Sequence, residues 1–548
     1  MPEKIYDVVV IGTGAGGGMA LSTLCKAGLS VCALNGSRRL DPKKDFRNHK
    51  QTYDLPFRGF GNPEKAKHYV GYMDNEFGEG IWEHDIAFTT APGTDWTWRR
   101  CFAVGGKTNF WGRSSARFSD IDFTAASRDG YDVDWPVSSE EIAPFYSRVE
   151  RMIGVASTVQ NRPSNPDGEY LPPMNYRCVD RILESGAKKI NIPYLPDRIA
   201  QLTRNLNGHP ACHYCGNCTN GCDTGSFFST PWFLLPDAEK SGLLDLRTNA
   251  LAKKILVNGE GRASGVAYID RNTKQEVEVH GRAVIVAASC LESARIILNS
   301  GIANSSGQAG RNLCDHLYGT TARGYLPQLL GQPSFPDNVS ESTIAWLPRW
   351  QNLTNPHEEK FIRGYSVYPD GGCAGFPGYF DTIPGFGRNF KREIKRRYPT
   401  SVGFYCQAPT QRSDDNYLDI DPNLKDIYGI PAARLHFAWD KNTLLMWEHA
   451  KHTTEQLIRA SGGEYLGAGE IDTPGTSLHE TGTLRMGNDP KKFVTDRFGR
   501  THDVPNLYIC DASIFPNCTD KTTTLSILAF ALRGSEHLIE QFKTKSIA

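Results

Sequence analysis

The chain has 548 residues, 39% of them apolar and 22% charged, which is enough to bury a large core in two or three structural units. Its 61 Lys and Arg residues balance 61 Asp and Glu, so no field of one sign favours nucleic acid or an acidic partner. No stretch approaches the ~18 apolar residues of a membrane span, and Met1-Pro2-Glu3-Lys4 runs into a strand without the basic and apolar regions of a signal peptide. The expected compartment is the reducing cytoplasm; the alternative is the periplasm, reached by co-export with a partner that carries a signal.

Tyr6 to Ile11 is an apolar, β-branched run that predicts a buried parallel strand. Gly12-Thr13-Gly14-Ala15-Gly16-Gly17-Gly18 follows, then a helix over Met19 to Ala27 and a second strand over Ser30 to Leu34. Strand, Gly12-x-Gly14-x-x-Gly17 and helix form a dinucleotide fingerprint in its required setting, with Ala15 inside the turn as a further cofactor-contact candidate. Glycines permit the tight turn and the close approach of backbone to a pyrophosphate, and the helix N-terminus presents N–H groups to it. The second strand should end in an acidic residue that takes the ribose hydroxyls; here it ends in Asn35, with Arg38 and Arg39 beyond. A neutral residue with nearby arginine also accommodates a 2′-phosphate, so FAD and NADP both stay open on this motif alone.

Fourteen cysteines are spread along the chain, and four of them, Cys212, Cys215, Cys218 and Cys222, fall within eleven positions. The x2, x2, x3 spacing is that of ferredoxin-type runs, although Asp223 stands where those place proline. An iron–sulfur cluster, a structural zinc with His213 as an alternative ligand, and disulfides or free thiols are all readings of this run. Further on, Lys253 to Val279 reads as a short meander about the turn Asn258-Gly259-Glu260-Gly261, and Ala283 to Ala288 as a strand returning to the sheet. The Gly- and Pro-rich stretch from Asp370 to Gly387 predicts long surface loops over a pocket.

Several segments then agree in order. They are Gly105-Gly106-Lys107-Thr108-Asn109-Phe110-Trp111-Gly112, Leu291-Glu292-Ser293-Ala294, and Gly310-Arg311-Asn312-Leu313-Cys314-Asp315-His316. Two more follow, Ser477-Leu478-His479-Glu480-Thr481-Gly482-Thr483 and Asn506 to Pro516. Together they resemble the glucose–methanol–choline (GMC) family of FAD oxidoreductases over nearly the whole chain, closest to bacterial sugar and glucoside 3-dehydrogenases. The resemblance implies an α/β protein: a Rossmann-like FAD-binding domain of glutathione-reductase/GMC type with a β-sheet-based α+β substrate domain. The FAD domain would be discontinuous, from 1–60, 95–125, 225–315 and 470–548. An insertion at 126–224 would carry the Cys-rich loop, and 316–469 would build the substrate domain.

It also implies roles. His479 would be the active-site base, suited by imidazole chemistry to work near neutral pH. The family's second position, usually histidine or asparagine, falls on Thr522, with Thr523 in place of proline; threonine cannot act as a base there, so either His479 works alone or Lys521 or a substrate-domain residue compensates. Gly105, Gly106 and Asn109 would lie near the isoalloxazine, and Asp511, Ala512 and Thr523 along the flavin chain. Phe110 stands where some relatives carry a flavin-linking histidine, so FAD should be non-covalent. The implied reaction is oxidation of a secondary hydroxyl of a sugar or glycoside, C3 first, to a ketone. Hydride would go to flavin N5 and electrons to a quinone, or to a cytochrome c or small subunit. Trp346, Trp350, Tyr365, Tyr368, Phe376 and Tyr379 offer stacking faces for a sugar. Alternatives are a sugar oxidase using oxygen, an NADP-dependent flavin reductase and a non-catalytic flavoprotein subunit. Nothing points to nucleic acid or an integral membrane segment.

Overall fold

The structure is a computed structural model, and it describes residues 4–46, 48–50, 82–83, 85–333, 344–371 and 383–547. The β-branched run Ile5–Ile11 forms the centre of a seven-stranded sheet because both of its faces are covered, Val8, Val9 and Val10 being fully buried. It pairs in parallel with Val31–Leu34 on one side and with Glu276–Val286 on the other. Glu276–Val286 is one continuous strand, not the end of a meander followed by a separate return strand. Its first half runs antiparallel to Ala263–Asp270, and its second half pairs in parallel with Ile5–Ile11 and with Leu507–Ile509. This strand brings the C-terminal segment to the glycine turn, which otherwise lies some 500 residues away in sequence. The first helix, Ala15–Lys26, packs on the C-terminal helix Thr524–Lys543.

A second sheet has the order Ser366–Gly371, Ser401–Pro409, Thr320–Tyr325, Glu464–Gly467, with His316–Leu317 paired to Ser401–Pro409. Helix Lys441–Ala460 covers it, burying Met446, Trp447, Ala450, Leu457 and Ile458 at helical spacing, and Asp440 caps the helix through Thr443 N at 2.9 Å. The fold is therefore α/β, a Rossmann-like unit with a sheet-based second unit.

Two expected boundaries move. Segment 126–224 has no single core: helix Ser139–Ile153 packs on the C-terminal helix, with Tyr146 Oη bonded to Ser526 Oγ at 2.6 Å, whereas helix Cys178–Lys189 packs on Lys441–Ala460. Both helices are amphipathic and each buries its stripe against whichever core lies nearest. Likewise Leu418, Ala433, Leu435 and Phe437, expected in the substrate region, belong to the core of the first sheet. Trp346 and Tyr365 are fully buried and Trp350 packs edge-on against Tyr365, so none of the three offers a stacking face; Phe376 and Tyr379, with the loop stretch 372–382, lie outside the described residues. Among the described residues no helix is long and apolar enough to cross a membrane.

Candidate active site

One cavity of about 600 Å³ runs from the glycine turn to the second sheet. Gly12, Gly14, Ala15, Asn35, Gly106, His479, Asp511, Ala512, Thr522 and Thr523 all line it. Gly17, Gly105 and Asn109 do not; they shape its wall. Gly17 lies against the carbonyl of Gly12, Gly105 donates its N–H to Thr13 Oγ1 at 2.9 Å, and Asn109 Nδ2 braces its own loop through the carbonyls of Val104 and Gly106. Asn109 is thus a structural residue.

The glycines separate two demands. A Cβ on Gly16 would stand 1.6 Å from the carbonyl oxygen of Cys510, so packing alone requires glycine there. A Cβ on Gly14 would meet no protein atom within 4 Å, so only a ligand explains the missing side chain. Gly14 also caps helix Ala15–Lys26 without a side-chain bond, leaving the first-turn N–H groups at the cavity. Two buried carboxylate oxygens at the wall, Glu292 Oε2 and Glu480 Oε1, have no partner among the described residues and suit hydroxyl or N–H donors of a bound molecule. The residues present fit a dinucleotide.

Asn35 does not read a ribose in the expected way. Its Oδ1 accepts from Thr13 Oγ1 at 2.7 Å, and its Nδ2 donates to the carbonyls of Ser37 and Phe102 at 2.9 and 2.7 Å. Both donors are spent inside the protein. Asn35→Asp, which would restore the acid of the usual fingerprint, is therefore expected to destabilise the FAD-free protein by about 2–4 kcal/mol, since a carboxylate would face two carbonyls. Urea unfolding measures it, and unchanged or higher stability would contradict the assignment. Arg38 pairs with Asp45 at 2.7 Å and Arg39 with Glu239, and neither lines the cavity, so neither of the two awaits a 2′-phosphate.

Asp511 lines the cavity, but its carboxylate turns inward, accepting from Ser293 Oγ at 2.5 Å and from Ser513 N at 3.0 Å; burial holds its pKa above the ordinary value. It fixes the turn that carries Ala512. Thr522 donates its hydroxyl proton to the carbonyl of Ser114 at 2.8 Å, so toward the cavity it can only accept. Lys521 is no substitute. It is buried between Asp122 at 2.9 Å and Asp520 at 2.7 Å and does not line the cavity.

The partner of His479 is His316, which the motif segment contained but to which the sequence reading gave no role. The two rings meet Nδ1 to Nδ1 at 2.9 Å, nearly perpendicular at 86°. Nε2 of His316 faces the carbonyl oxygen of Thr519, which has no hydrogen, so that nitrogen donates. Burial pulls the His316 pKa down to about 4, so the ring is neutral and its Nδ1 must accept. Nδ1 of His479 therefore carries the hydrogen, and Nε2 of His479 holds the lone pair. Burial, then His316 and Lys107, keep the His479 pKa well below the usual imidazole value. Asp315, pushed up to about 7 by burial and by Glu480, accepts from Gly475 N at 2.9 Å and from Ser477 Oγ, and so holds the turn that presents His479. Leu478 lies in that turn with φ of 66°, an uncommon conformation for leucine that no sequence pattern signals. His316→Leu should lower turnover by about 100-fold, because the tautomer is no longer fixed. His316→Gln keeps an acceptor and should recover much of the loss; equal turnover in all three proteins would remove the relay.

The second sheet supplies the far end of the cavity: Tyr318 and Tyr405, stacked at 5.3 Å, together with Tyr368 and Gln407. Gln407 Oε1 is buried without a partner among the described residues. The Cys-rich loop closes one side, as Asn217, Thr219 and Asn220 line the cavity, while Cys218 and Cys222 pack with Phe227 against Trp111, itself a lining residue. All four cysteines are free thiols in electrostatic contact with one another. Zinc–sulfur bonds of about 2.3 Å set four sulfurs about 3.8 Å apart. Among the described residues, however, the one group of three or more metal-capable atoms within 4.8 Å of one another is His49, His213 and Asp223. The thiols are thus spread more widely than a single zinc ion requires.

Fold and cavity define a dinucleotide-binding protein with an imidazole at the cavity wall. The chain belongs to the GMC oxidoreductases: the family's N-terminal model matches residues 15–318 and its C-terminal model 412–531. It is accordingly an FAD-dependent enzyme acting on CH–OH donors. It is similar to a 2-methyl-1,2-propanediol dehydrogenase of Mycolicibacterium austroafricanum, 26% identical over 98% of this chain and 95% of that one. A fructose dehydrogenase large subunit of Gluconobacter japonicus is 25% identical over 98% of both. A C-glycoside 3-oxidase of Arthrobacter globiformis is 27% identical over 54% of this chain and 53% of that one. The fold is similar to that of pyridoxine 4-oxidase from Mesorbium loti, with a TM-score of 0.65 at 16% identity, covering 98% of this chain and 99% of that one.

Proposed function

We propose that the enzyme is a dehydrogenase of sugars or glycosides that oxidises a secondary ring hydroxyl, C3 of a glucoside first, and passes the electrons to a partner protein or a quinone. The observation that carries this reading is the cavity's far end. Stacked tyrosines and unsatisfied amide oxygen share one enclosure with a histidine whose lone pair is fixed on Nε2. A ring with several hydroxyls meets an apolar face and polar acceptors there, whereas a simple alcohol would leave the acceptors unpaired. Similarity to a fructose dehydrogenase subunit and to a C-glycoside 3-oxidase supports the substrate class.

FAD, when bound, accepts the hydride of the carbinol carbon. The chain does the rest. Nε2 of His479 takes the hydroxyl proton, His316 and the Thr519 carbonyl hold that tautomer, and Thr522 Oγ1 can accept one hydrogen bond. The test is anaerobic mixing of the FAD-loaded enzyme with methyl glucosides and, separately, with a simple diol. Loss of the yellow colour with glucosides and a 3-keto product by NMR are expected; bleaching by the diol alone would overturn the sugar reading.

As the exit for electrons we propose an iron–sulfur cluster held by Cys212, Cys215, Cys218 and Cys222. Support comes from the loop's place beside Trp111 and from the N–H groups of Tyr214 and Ser226, which donate to Cys212 Sγ and Cys222 Sγ, each at 3.3 Å. Iron and acid-labile sulfide are expected in anaerobically purified protein, and zinc with neither would end this part of the reading.

A further inference from the structure

Helix Gly387–Arg397 carries six cations, Arg388, Lys391, Arg392, Lys395, Arg396 and Arg397, against the single acid Glu393, in a chain whose net charge is zero. None of its residues is buried, and Phe386, at its start, is 92% exposed. Glu393 pairs with Arg396 and Arg397, while Arg388, Lys391, Arg392 and Lys395 have no carboxylate partner among the described residues. Phe386 is the exposed apolar residue, Phe390 and Ile394 follow at spacing four and are half-buried, and Arg388, Lys391, Arg392, Lys395 and Arg396 fan round the rest of the helix. A helix this short is marginal in water without tertiary packing. Here packing is minimal, and like charges at Arg388/Arg392, Lys391/Lys395 and Arg392/Arg396 oppose the helix further.

We propose that this helix docks the enzyme on an anionic phospholipid surface, its cations over the headgroups and its Phe386 edge inserted among the upper acyl chains. Charge complementarity selects a negative partner, and the exposed phenylalanine beside the basic face selects a bilayer over an acidic protein, to which an apolar edge gives little. The helix leads through Tyr398–Thr400 into strand Ser401–Pro409, whose Tyr405 and Gln407 line the cavity. At about 3.4 Å per residue, Tyr405 lies roughly 14 Å along that strand from Ser401. The docking face stands whether or not the substrate is a sugar.

The test is co-sedimentation of the FAD-loaded enzyme with vesicles of phosphatidylcholine alone, and of phosphatidylcholine with phosphatidylglycerol in equal parts. Binding to the second only, released by salt, is expected. Arg388→Ser/Lys391→Ser/Lys395→Ser should weaken it by about 100-fold and leave dye-linked turnover unchanged. Phe386→Ser should weaken it by a smaller factor. The proposal falls if the enzyme ignores both vesicles, pellets equally with both, or keeps its affinity in the triple variant. An unchanged affinity in Phe386→Ser, or capture by an acidic protein without any vesicle binding, would also overturn it.

Discussion

Replacing His479 with alanine is expected to lower turnover by about 10²- to 10⁴-fold while FAD stays bound. Three groups in series, the Thr519 carbonyl, His316 and His479, leave one ring nitrogen able to take a proton at the cavity wall. Neither candidate for the second position replaces it: the Thr522 hydroxyl donates its hydrogen bond to the Ser114 carbonyl, and Lys521 lies outside the lining, held by two carboxylates. The glycine turn and the Asp511 turn, which build the other end of the cavity, do not depend on the imidazole, so cofactor content should be normal. Stopped-flow reduction of the bound FAD and its absorbance per polypeptide measure both at once. Near-normal reduction would remove the base assignment.

The second large effect separates binding from folding. Gly14→Val should give a folded, colourless protein whose affinity for FAD falls by at least about 100-fold, equivalent to about 2.7 kcal/mol. The added Cβ meets no protein atom within 4 Å at a residue that lines the cavity, and φ at Gly14 is negative, −67°. Gly16→Ala should behave in the opposite sense. Its Cβ would collide with the Cys510 carbonyl and force the first helix off the sheet, costing about 1–3 kcal/mol of stability. Unfolding of the FAD-free proteins together with FAD titration distinguishes the two; equal stability losses would contradict the division between ligand and packing glycines.

Much of this was legible because it is local. A β-branched run, a glycine turn and a helix follow one another within thirty residues, and each dictates its own conformation. The place of His479 at the cavity was legible through its neighbours in the same motif. What escaped depends on contacts between distant segments. The amide of Asn35 donates to a carbonyl at Phe102 and the hydroxyl of Thr522 to one at Ser114, so chemical type alone did not tell which bonds either had left for the cavity. Asn109 looked like a cofactor contact and is a loop brace, since nothing in a glycine-rich segment tells which side chains face inward. His316 was visible as part of a segment, but its role needed the geometry of two rings and a carbonyl. The helices of 126–224 showed amphipathic stripes without saying which core each would cover.

The most direct measurement is single-turnover reduction of the bound FAD by a methyl glucoside carrying deuterium at C3, against the unlabelled sugar. The cofactor is expected to be reduced and deuterium to slow the step, as hydride leaves C3 while His479 takes the hydroxyl proton. A cofactor that stays oxidised with every glycoside, or is reduced at the same rate with and without the label, would contradict this reading.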